Sequence, residues 1–412
     1  MGKRGKGGVG GCMAGFVDVW CDWETKKESK LFFIIFALPM KLLLCFSLSN
    51  PLKSPTSTFI GVVRLLSRKQ HLGMRVGIVA LGMDSLFQLH HLQRINFAFN
   101  KFSSSSIPSD IGCLRNLRHL NLSNSYFDVH GYYRNQFARC SDRELLLLSN
   151  LERLKLGSNF LLKGNLPKIR PSNTLLELNI SYKGISSEQP DSIGTLSSLI
   201  PNSIGNLTQI RKLDLGYNHF TGQIPSSIGN LTQLRELYLH GNHFSGEIPN
   251  SIGNLTQIRE LDLGSVTFFY LESVPHCLGS MVGLGDLDLR KNNFSRSLPP
   301  LYRQSTSLTN IVLNGNHFEG PLPVSSLNCI GLEVLDMGNN AIDDTFPAWL
   351  GTLEELQVLI LKSNTFHGPI STRQKFCFPK LLIFDLSHNE FSGSLPSGVF
   401  RNFKAMTKCN TT

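Results

Sequence analysis

From about residue 89 to residue 396 the apolar positions of the chain fall into one recurring frame. Leu207, Ile210, Leu213, Leu215, Asn218, Phe220, Gly222, Ile224 and Pro225 spell LxxLxxLxLxxNxFxGxIP, and the stretch from Leu231 to Pro249 repeats it. The segments Ile204-Gly205-Asn206-Leu207-Thr208, Ile228-Gly229-Asn230-Leu231-Thr232 and Ile252-Gly253-Asn254-Leu255-Thr256 recur almost letter for letter. They set a period of about 24 residues, within the range of repeat architectures. Leu213 and Leu215 alternate as in a strand with one buried face, about three to five residues long. The LxxL and IPxxI segments on either side read as turns and outer wall. A fixed period of this length predicts a solenoid, in which each unit touches only its neighbours and the stack presents an extended concave surface.

The position where the chain leaves each strand falls at residues 100, 125, 159, 183, 218, 242, 266, 292, 316, 340, 364 and 389. Nine of these twelve are Asn; Ser125, Lys183 and Val266 are the exceptions. A buried Asn here can bond backbone groups of adjacent coils that would otherwise lack partners, which makes the residue structural. Gly222 permits a tight bend, and Pro225 fixes φ where no N–H is needed.

The pattern breaks in three places. Residues 51–88 carry no frame, and at most Val76 to Leu81 reads as one edge strand before the array. Between Phe127 and Leu148 a polar insertion with Tyr132, Tyr133 and Arg134 replaces the usual turn and reads as a loop, either a contact site or a tolerated insertion. Ser192-Ile193-Gly194 and Ser203-Ile204-Gly205 occupy the same frame position yet lie less than half a period apart, so more than half of a unit is missing. The expectation is a kink or local gap, with residues 197–203 unable to complete a coil. At the end of the array Val399, Phe400, Phe403 and Met406 fall at helical spacing and could cover the last apolar layer.

These motifs resemble the plant-type leucine-rich repeat family, whose signature ends in GxIPxxIGNLT as at Gly222 to Thr232. The resemblance covers roughly residues 89–396. It implies an α/β solenoid, a leucine-rich repeat horseshoe of about 12 repeats, each of about 24 residues, with short parallel strands on the concave face. Within the family the segment Leu92 to Asn100 and the tail from Leu395-Pro396 to Met406 are similar to the extracellular portions of plant receptor-like proteins. In such proteins a non-repeat island, further repeats, a membrane helix and a short cytoplasmic tail would follow, and this sequence stops at Thr412. The domain reading is a Gly/Lys leader (1–30), a signal-like apolar segment (31–50), a degenerate N-terminal cap region (51–88), the repeat array (89–396, defective near 197–203) and a C-terminal tail or cap (397–412).

Net charge is +10 over 412 residues, but residues 1–90 hold 12 Lys/Arg against 5 Asp/Glu, which leaves the repeat region only +3. Arg211, Arg235 and Arg259 line up from unit to unit, yet Glu236 and Glu260 sit beside them and Asp214 and Asp262 follow. No basic stripe tracks a phosphate backbone, and a nucleic-acid partner is not expected. Leu31 to Met40 is apolar and Leu42 to Phe46 resumes after Lys41, too short and interrupted for a span of about 20 residues. The segment suits a secretory apolar region behind Lys26, Lys27 and Lys30, with translation from Met40 or a buried core segment as alternatives. Asn121, Asn179, Asn206, Asn230, Asn254, Asn293 and Asn410 each open an N-x-Ser/Thr triplet and are the candidate glycosylation sites. Asn206, Asn230 and Asn254 come with the repeat consensus, and glycan on that outer ridge would leave the concave face open.

Of nine cysteines, Cys12 and Cys21 beside Trp20 and Trp23 are faintly similar to a paired N-terminal cap but lie before the signal-like segment. Pairs stapling the ends are the expectation for a secreted solenoid. No metal or cofactor is expected, since no CxxC or HxxxH pair occurs. Gly5 to Gly11 lacks a preceding strand and the Lys-Ser/Thr pair of a phosphate loop. Asp214, Asp262, Asp288, Asp336 and Asp385 recur at one frame position as a column rather than flanking a bond, and no enzyme activity is expected.

The resemblance implies a cell-surface or secreted recognition ectodomain in defence or development, at the plasma membrane's extracellular face or secreted. It would bind a peptide, glycan or protein and act through a partner co-receptor kinase, with membrane association only through a missing or N-terminal segment. The expected concave-face contacts are Arg211, Lys212, Asp214 and Tyr217, then Arg235, Glu236, Tyr238 and His240, then Arg259, Glu260 and Asp262, where charges and aromatic groups converge. A secreted inhibitor of microbial cell-wall hydrolases and a fragment without independent role are the alternative readings.

Overall fold

The structure, a computed structural model, describes residues 91–100, 111, 114–125, 149–159, 166, 174–181, 199–266, 274–298, 307–323, 329–371, 378–394, 397–401 and 403–407, with the backbone of four short strands before residue 83. Twelve three-residue strands form one parallel sheet in chain order. They are β1 (Arg94–Asn96), β2 (His119–Asn121), β3 (Arg153–Lys155), β4 (Glu177–Asn179), β5 (Lys212–Asp214), β6 (Glu236–Tyr238), β7 (Glu260–Asp262), β8 (Asp286–Asp288), β9 (Asn310–Val312), β10 (Val334–Asp336), β11 (Val358–Ile360) and β12 (Ile383–Asp385). The central residue of each strand points into the coil; Leu213, Leu237, Leu261 and Leu287 are all fully or nearly fully buried. Their flanking residues face solvent on the concave side, as the two-residue side-chain alternation requires.

After most strands the chain turns through a left-handed residue. Tyr217, Ser265, Lys291, Asn339, Ser363 and His388 have φ between 51° and 56°, and Gly241 and Gly315 occupy the same place. The next residue is the frame Asn, except after Ser265, where it is Val266. Asn242 is 1% exposed. Its Nδ2 donates to the carbonyls of Leu239 (2.9 Å) in its own coil and Leu215 (3.0 Å) in the preceding one. Its Oδ1 accepts from the Phe220 N–H at 3.1 Å. Asn316 repeats the pattern with Leu313, Leu289 and Phe294, and Asn364 with Leu361, Met337 and Ile342. The structural role expected of this Asn is therefore the observed one. At an exception, Ser125 donates instead to the Phe97 carbonyl across the coils.

Beside the Asn ladder runs a spine of phenylalanines, with Phe220 stacked on Phe244 (6.3 Å between centroids), Phe294 on Phe318 (5.9 Å) and Phe366 on Phe391 (6.0 Å). The segment reading as turn and wall also makes short parallel pairings of its own. Thr221–Gly222 pairs with His243–Phe244, and Ser295–Arg296, His317–Gly320 and Ala341–Ile342 form a three-stranded strip. The IPxxIGN segments close each coil as five-residue 3₁₀ turns, at Asn202–Asn206, Ser226–Asn230 and Asn250–Asn254, each entered through an extended proline.

The expected kink near residues 197–203 is absent from the sheet. Leu178 of β4 pairs directly with Leu213 of β5. The ladder crosses without a break: Arg211 N–H donates to the Leu176 carbonyl (2.8 Å) and Ile180 N–H to that of Asp214 (2.9 Å). The physical reason is that the lost residues took a whole strand with them. The strands on either side therefore meet in register, and Ile200 and the Asn202–Asn206 turn take the wall position that the repeat demands. Residues 182–198 lie outside the described residues.

The edge-strand expectation also needs correcting. Val79–Gly82 is a strand, but it pairs antiparallel with Thr58–Gly61 and not with the array. Ile34–Ala37 and Leu42–Cys45, within the signal-like segment, form a second antiparallel pair. Among the described residues no helix is long and apolar enough to cross a membrane. The insertion around Tyr132, Tyr133 and Arg134 lies outside the described residues.

At the other end, Val399 in a short helix at Ser397–Phe400 and Phe403 just before a second at Lys404–Thr407 are buried, while Phe400 and Met406 are exposed. Phe403 meets Phe384 edge-on at 5.2 Å and Phe378 at 6.0 Å, so the lid rests on half of the four residues expected to form it. Cys277 and Cys329 are free thiols, and the remaining cysteines lie outside the described side chains. Burial pushes the Cys329 thiol up to about 11.

Replacing Asn242 with Ala strands buried backbone groups in two coils and should cost about 2–4 kcal/mol in urea unfolding. Conversely, Val266 occupies an Asn position with no amide to offer. Val266→Asn should change stability by less than about 1 kcal/mol, whereas Val274→Asn, at a buried wall position, should cost about 3 kcal/mol.

Candidate functional site

The concave face carries the eleven residues expected to contact a ligand, and register brings them together. Lys212, Glu236 and Glu260 form one row across β5, β6 and β7, and Asp214, Tyr238 and Asp262 form the next. Arg211, Arg235 and Arg259 stack just before these strands: Arg235 N–H donates to the Arg211 carbonyl and Arg259 N–H to that of Arg235, both at 2.8 Å.

Most of the charges are already engaged with one another. Lys212 is ion-paired with Glu236, and its Nζ lies 4.8 Å from the centroid of the Tyr238 ring. The Tyr238 hydroxyl donates to Glu260 and reaches Glu236 at 3.2 Å. Burial, followed by the hydrogen bond to Glu260 and the two neighbouring carboxylates, pushes its phenol well above the ordinary range. It stays a neutral donor at every physiological pH. His240 Nδ1 lies 3.0 Å from Asp262 Oδ2.

Asp214 departs from the expectation. It is 7% exposed and bonded by Gly216 N–H (3.1 Å) and Asn179 Nδ2 (2.7 Å), so it closes the turn out of the strand rather than facing solvent. Asp262, Asp288, Asp336 and Asp385 accept from the N–H two residues on in the same way. The column of acids is a turn-closing device of the Asx type, and its recurrence at one frame position was the signal that could have revealed it.

Tyr217, 45% exposed, is thrown outward by its left-handed backbone and meets the His240 ring edge-on at 4.6 Å. Two glycines make room for this pair. A Cβ on Gly241 would sit 2.6 Å from the Tyr217 ring, and one on Gly216 would sit 2.6 Å from that of His240. Sequence reasoning missed both. On the neighbouring wall, His219 Nδ1 and His243 Nε2 approach to 2.9 Å with the rings stacked. Among the described residues no group of three or more His, Cys, Asp or Glu could hold a metal ion.

Beyond β8 the face changes character. Val334, Val358 and Ile383 share one row, with Val312 and Ile360 in the next. Ile383 is 51% and Leu382 55% exposed. These too were absent from the expected set.

The sequons divide between two surfaces. Asn230, Asn254 and Asn293 are exposed outside the concave strands, and Asn206 ends a 3₁₀ turn on the same wall. Asn121 and Asn179, by contrast, end β2 and β4 on the concave side, so the outer-ridge placement does not extend to them. Asn410 lies outside the described residues.

Residues 198–409 match the family described as a leucine-rich repeat region. The chain belongs to the leucine-rich repeat family. Among curated relatives it is similar to Receptor-like protein 39 of Arabidopsis thaliana, 35% identical over 242 residues, covering 58% of this chain and 20% of that protein. It therefore spans about a fifth of that relative's length. The plant peptide hormone receptor RGFR1, solved with RGF2, superposes with a TM-score of 0.66 at 29% identity, covering 77% of this chain and 47% of that one. The Arabidopsis receptor kinase HAESA, solved with the peptide hormone IDA and the co-receptor SERK1, gives a TM-score of 0.51 at 25% identity over 78% of this chain and 57% of that one. Both solved relatives are plant receptors of the same repeat family.

Two histidines give the folded chain an acid sensitivity. His219 is held below its ordinary pKa by burial and then by the charge of His243, and His119 by burial and then by Arg94 and Arg153. The unfolded chain therefore binds protons more readily than the folded one just below pH 6.5, the ordinary value. Stability should fall as pH drops through that region toward the lowered folded values. The double variant His119→Asn/His219→Asn should show a shallower loss between pH 7 and pH 5 in thermal melts.

Proposed function

We propose that the chain is the recognition part of a plant receptor-like protein, exposed to the extracellular space, that binds a peptide on its concave face and signals through a partner kinase. The observation that carries this reading is the continuous parallel sheet, which presents Arg211, Tyr217, Arg235, His240 and Arg259 on successive coils of one surface. Aromatic and Arg side chains held on rigid elements are the groups that dominate binding energy at protein interfaces. The resemblance to receptors solved with peptide hormones supports a peptide over a glycan as ligand. The similarity to receptor-like proteins supports a separate kinase as partner, and SERK1, the co-receptor solved with HAESA, illustrates the class of partner.

The sequons support the same footprint. On the concave strands they occur at Asn121 and Asn179, and none occurs on β5 to β12. Glycans there would shade the N-terminal half of the face and leave the Arg-bearing and later coils open.

Peptides selected from a displayed library of 12-residue sequences on the purified chain give the test. Arg235→Glu/Arg259→Glu should weaken the selected peptides at least tenfold while melting stays unchanged. Unaltered affinity would remove this patch from the site. For the address, expression in leaf cells followed by N-glycosidase digestion should give a shifted band in the membrane pellet or extracellular wash; an unshifted band would exclude the secretory route.

A further inference from the structure

We propose that the concave face is bipartite and takes one extended peptide built of two chemically distinct segments, an acidic one over β5 to β7 and an apolar one over β10 to β12. The proposal rests on the peptide-binding reading above and adds the chemistry of the ligand.

The acidic half follows from charges left without partners. Arg118 stands at the same frame position as the later arginines and is neutralised by Glu152 of the next coil at 2.9 Å. Arg211, Arg235 and Arg259 are exposed and make no ion pair among the described residues. The nearby carboxylates are turned toward donors of the protein itself: Glu236 to Lys212, Glu260 to the Tyr238 hydroxyl, Asp262 to the Gly264 N–H, and Asp214 to Asn179 and the Gly216 N–H. Only Glu236 is paired with a cation, so the three guanidinium groups are the charges of this patch left free to meet a ligand. Three like charges on adjacent strands, at a spacing of about 4.8 Å, repel one another. An anionic ligand relieves that repulsion, and the rigid row confers selectivity for acidic over basic partners.

The apolar half follows from exposure. Val334, Val358 and Ile383 lie side by side in one register row, flanked by Ile360 and the exposed Leu382, on the same face and in line with the Arg-bearing coils. A contiguous apolar strip of this kind marks a binding surface. Asp336 and Asp385 share the row of Ile360 and are turned to the N–H groups of Gly338 and Ser387. Continuity with the charged half commits the strip to the same ligand.

Spacing sets the length. From β5 to β12 there are seven strand steps, about 34 Å, which an extended peptide covers in about 10 residues. Each half spans two steps, about 10 Å or three residues, with about four residues between them.

The experiment uses the same displayed library and reads the sequences and the variants. Enriched peptides should carry two or more Asp/Glu at one end, an apolar pair at the other, and about four residues between. Arg235→Glu/Arg259→Glu should weaken them at least tenfold in a salt-dependent manner, and peptides with Glu replaced by Lys should recover binding to that variant. Val358→Ser/Ile383→Ser should weaken the original peptides at least tenfold with little salt dependence. Melting curves confirm that each variant folds, and the Lys-peptide recovery excludes a collapsed site. Enriched peptides that are basic, that lack either segment, or that ignore either variant pair would overturn the bipartite inference and leave a concave peptide site standing. Failure to enrich any peptide would overturn both.

Discussion

The structure depends on satisfying backbone hydrogen bonds that its own strands cannot satisfy. Strands of three residues carry few ladder bonds, and most of each coil is turn and wall. Buried N–H and C=O groups in those segments need partners. The frame Asn supplies them with one side chain that donates within its coil and to the previous coil and accepts from a third backbone site. Stacked phenylalanines then seal the same corner from water. With the corner fixed, coil follows coil at strand spacing, and everything on the concave face inherits that spacing.

That inheritance explains how the candidate site comes about. Residues one period apart in sequence become lateral neighbours, so a charge on one coil is neutralised or repelled by the next. Over β2 to β4 the arginines meet glutamates, as with Arg118 and Glu152 and Arg153 and Glu177. Over β5 to β7 the acids bond Lys212, Tyr238 and the Gly264 N–H, and the arginines make no ion pair among the described residues. Further on the face turns apolar. A single rigid frame thus carries regions of different chemistry along its length without altering its backbone, which is how a repeat fold acquires specificity.

The long coil between Leu178 and Leu213 illustrates the tolerance of the frame. A solenoid is held by nearest-neighbour contacts, so what matters is that each strand finds a strand beside it. The strands on either side of the interruption keep their register, so the sheet is continuous across it. An interruption that reads in sequence as a fault in stacking therefore leaves the strand pairing intact.

Much of the fold was legible in the sequence. The period, the buried leucines, the structural Asn and the parallel strands all follow from residues that recur at one frame position, because a recurring position has the same environment in every coil. The candidate site was legible only as a set of residues on one face. Which of them remain free depends on side chains of neighbouring coils choosing partners, as Lys212 chooses Glu236 and Asp214 is claimed by Asn179 and the turn at Gly216. The room that Gly216 and Gly241 leave for the His240 and Tyr217 rings was equally hidden, since it is a contact between coils. The sequence by itself determined the repeating unit, because local chemistry recurs with the period. Only the tertiary structure decided which charges stay exposed and how the broken unit closes, because both depend on distances between coils that no single repeat contains.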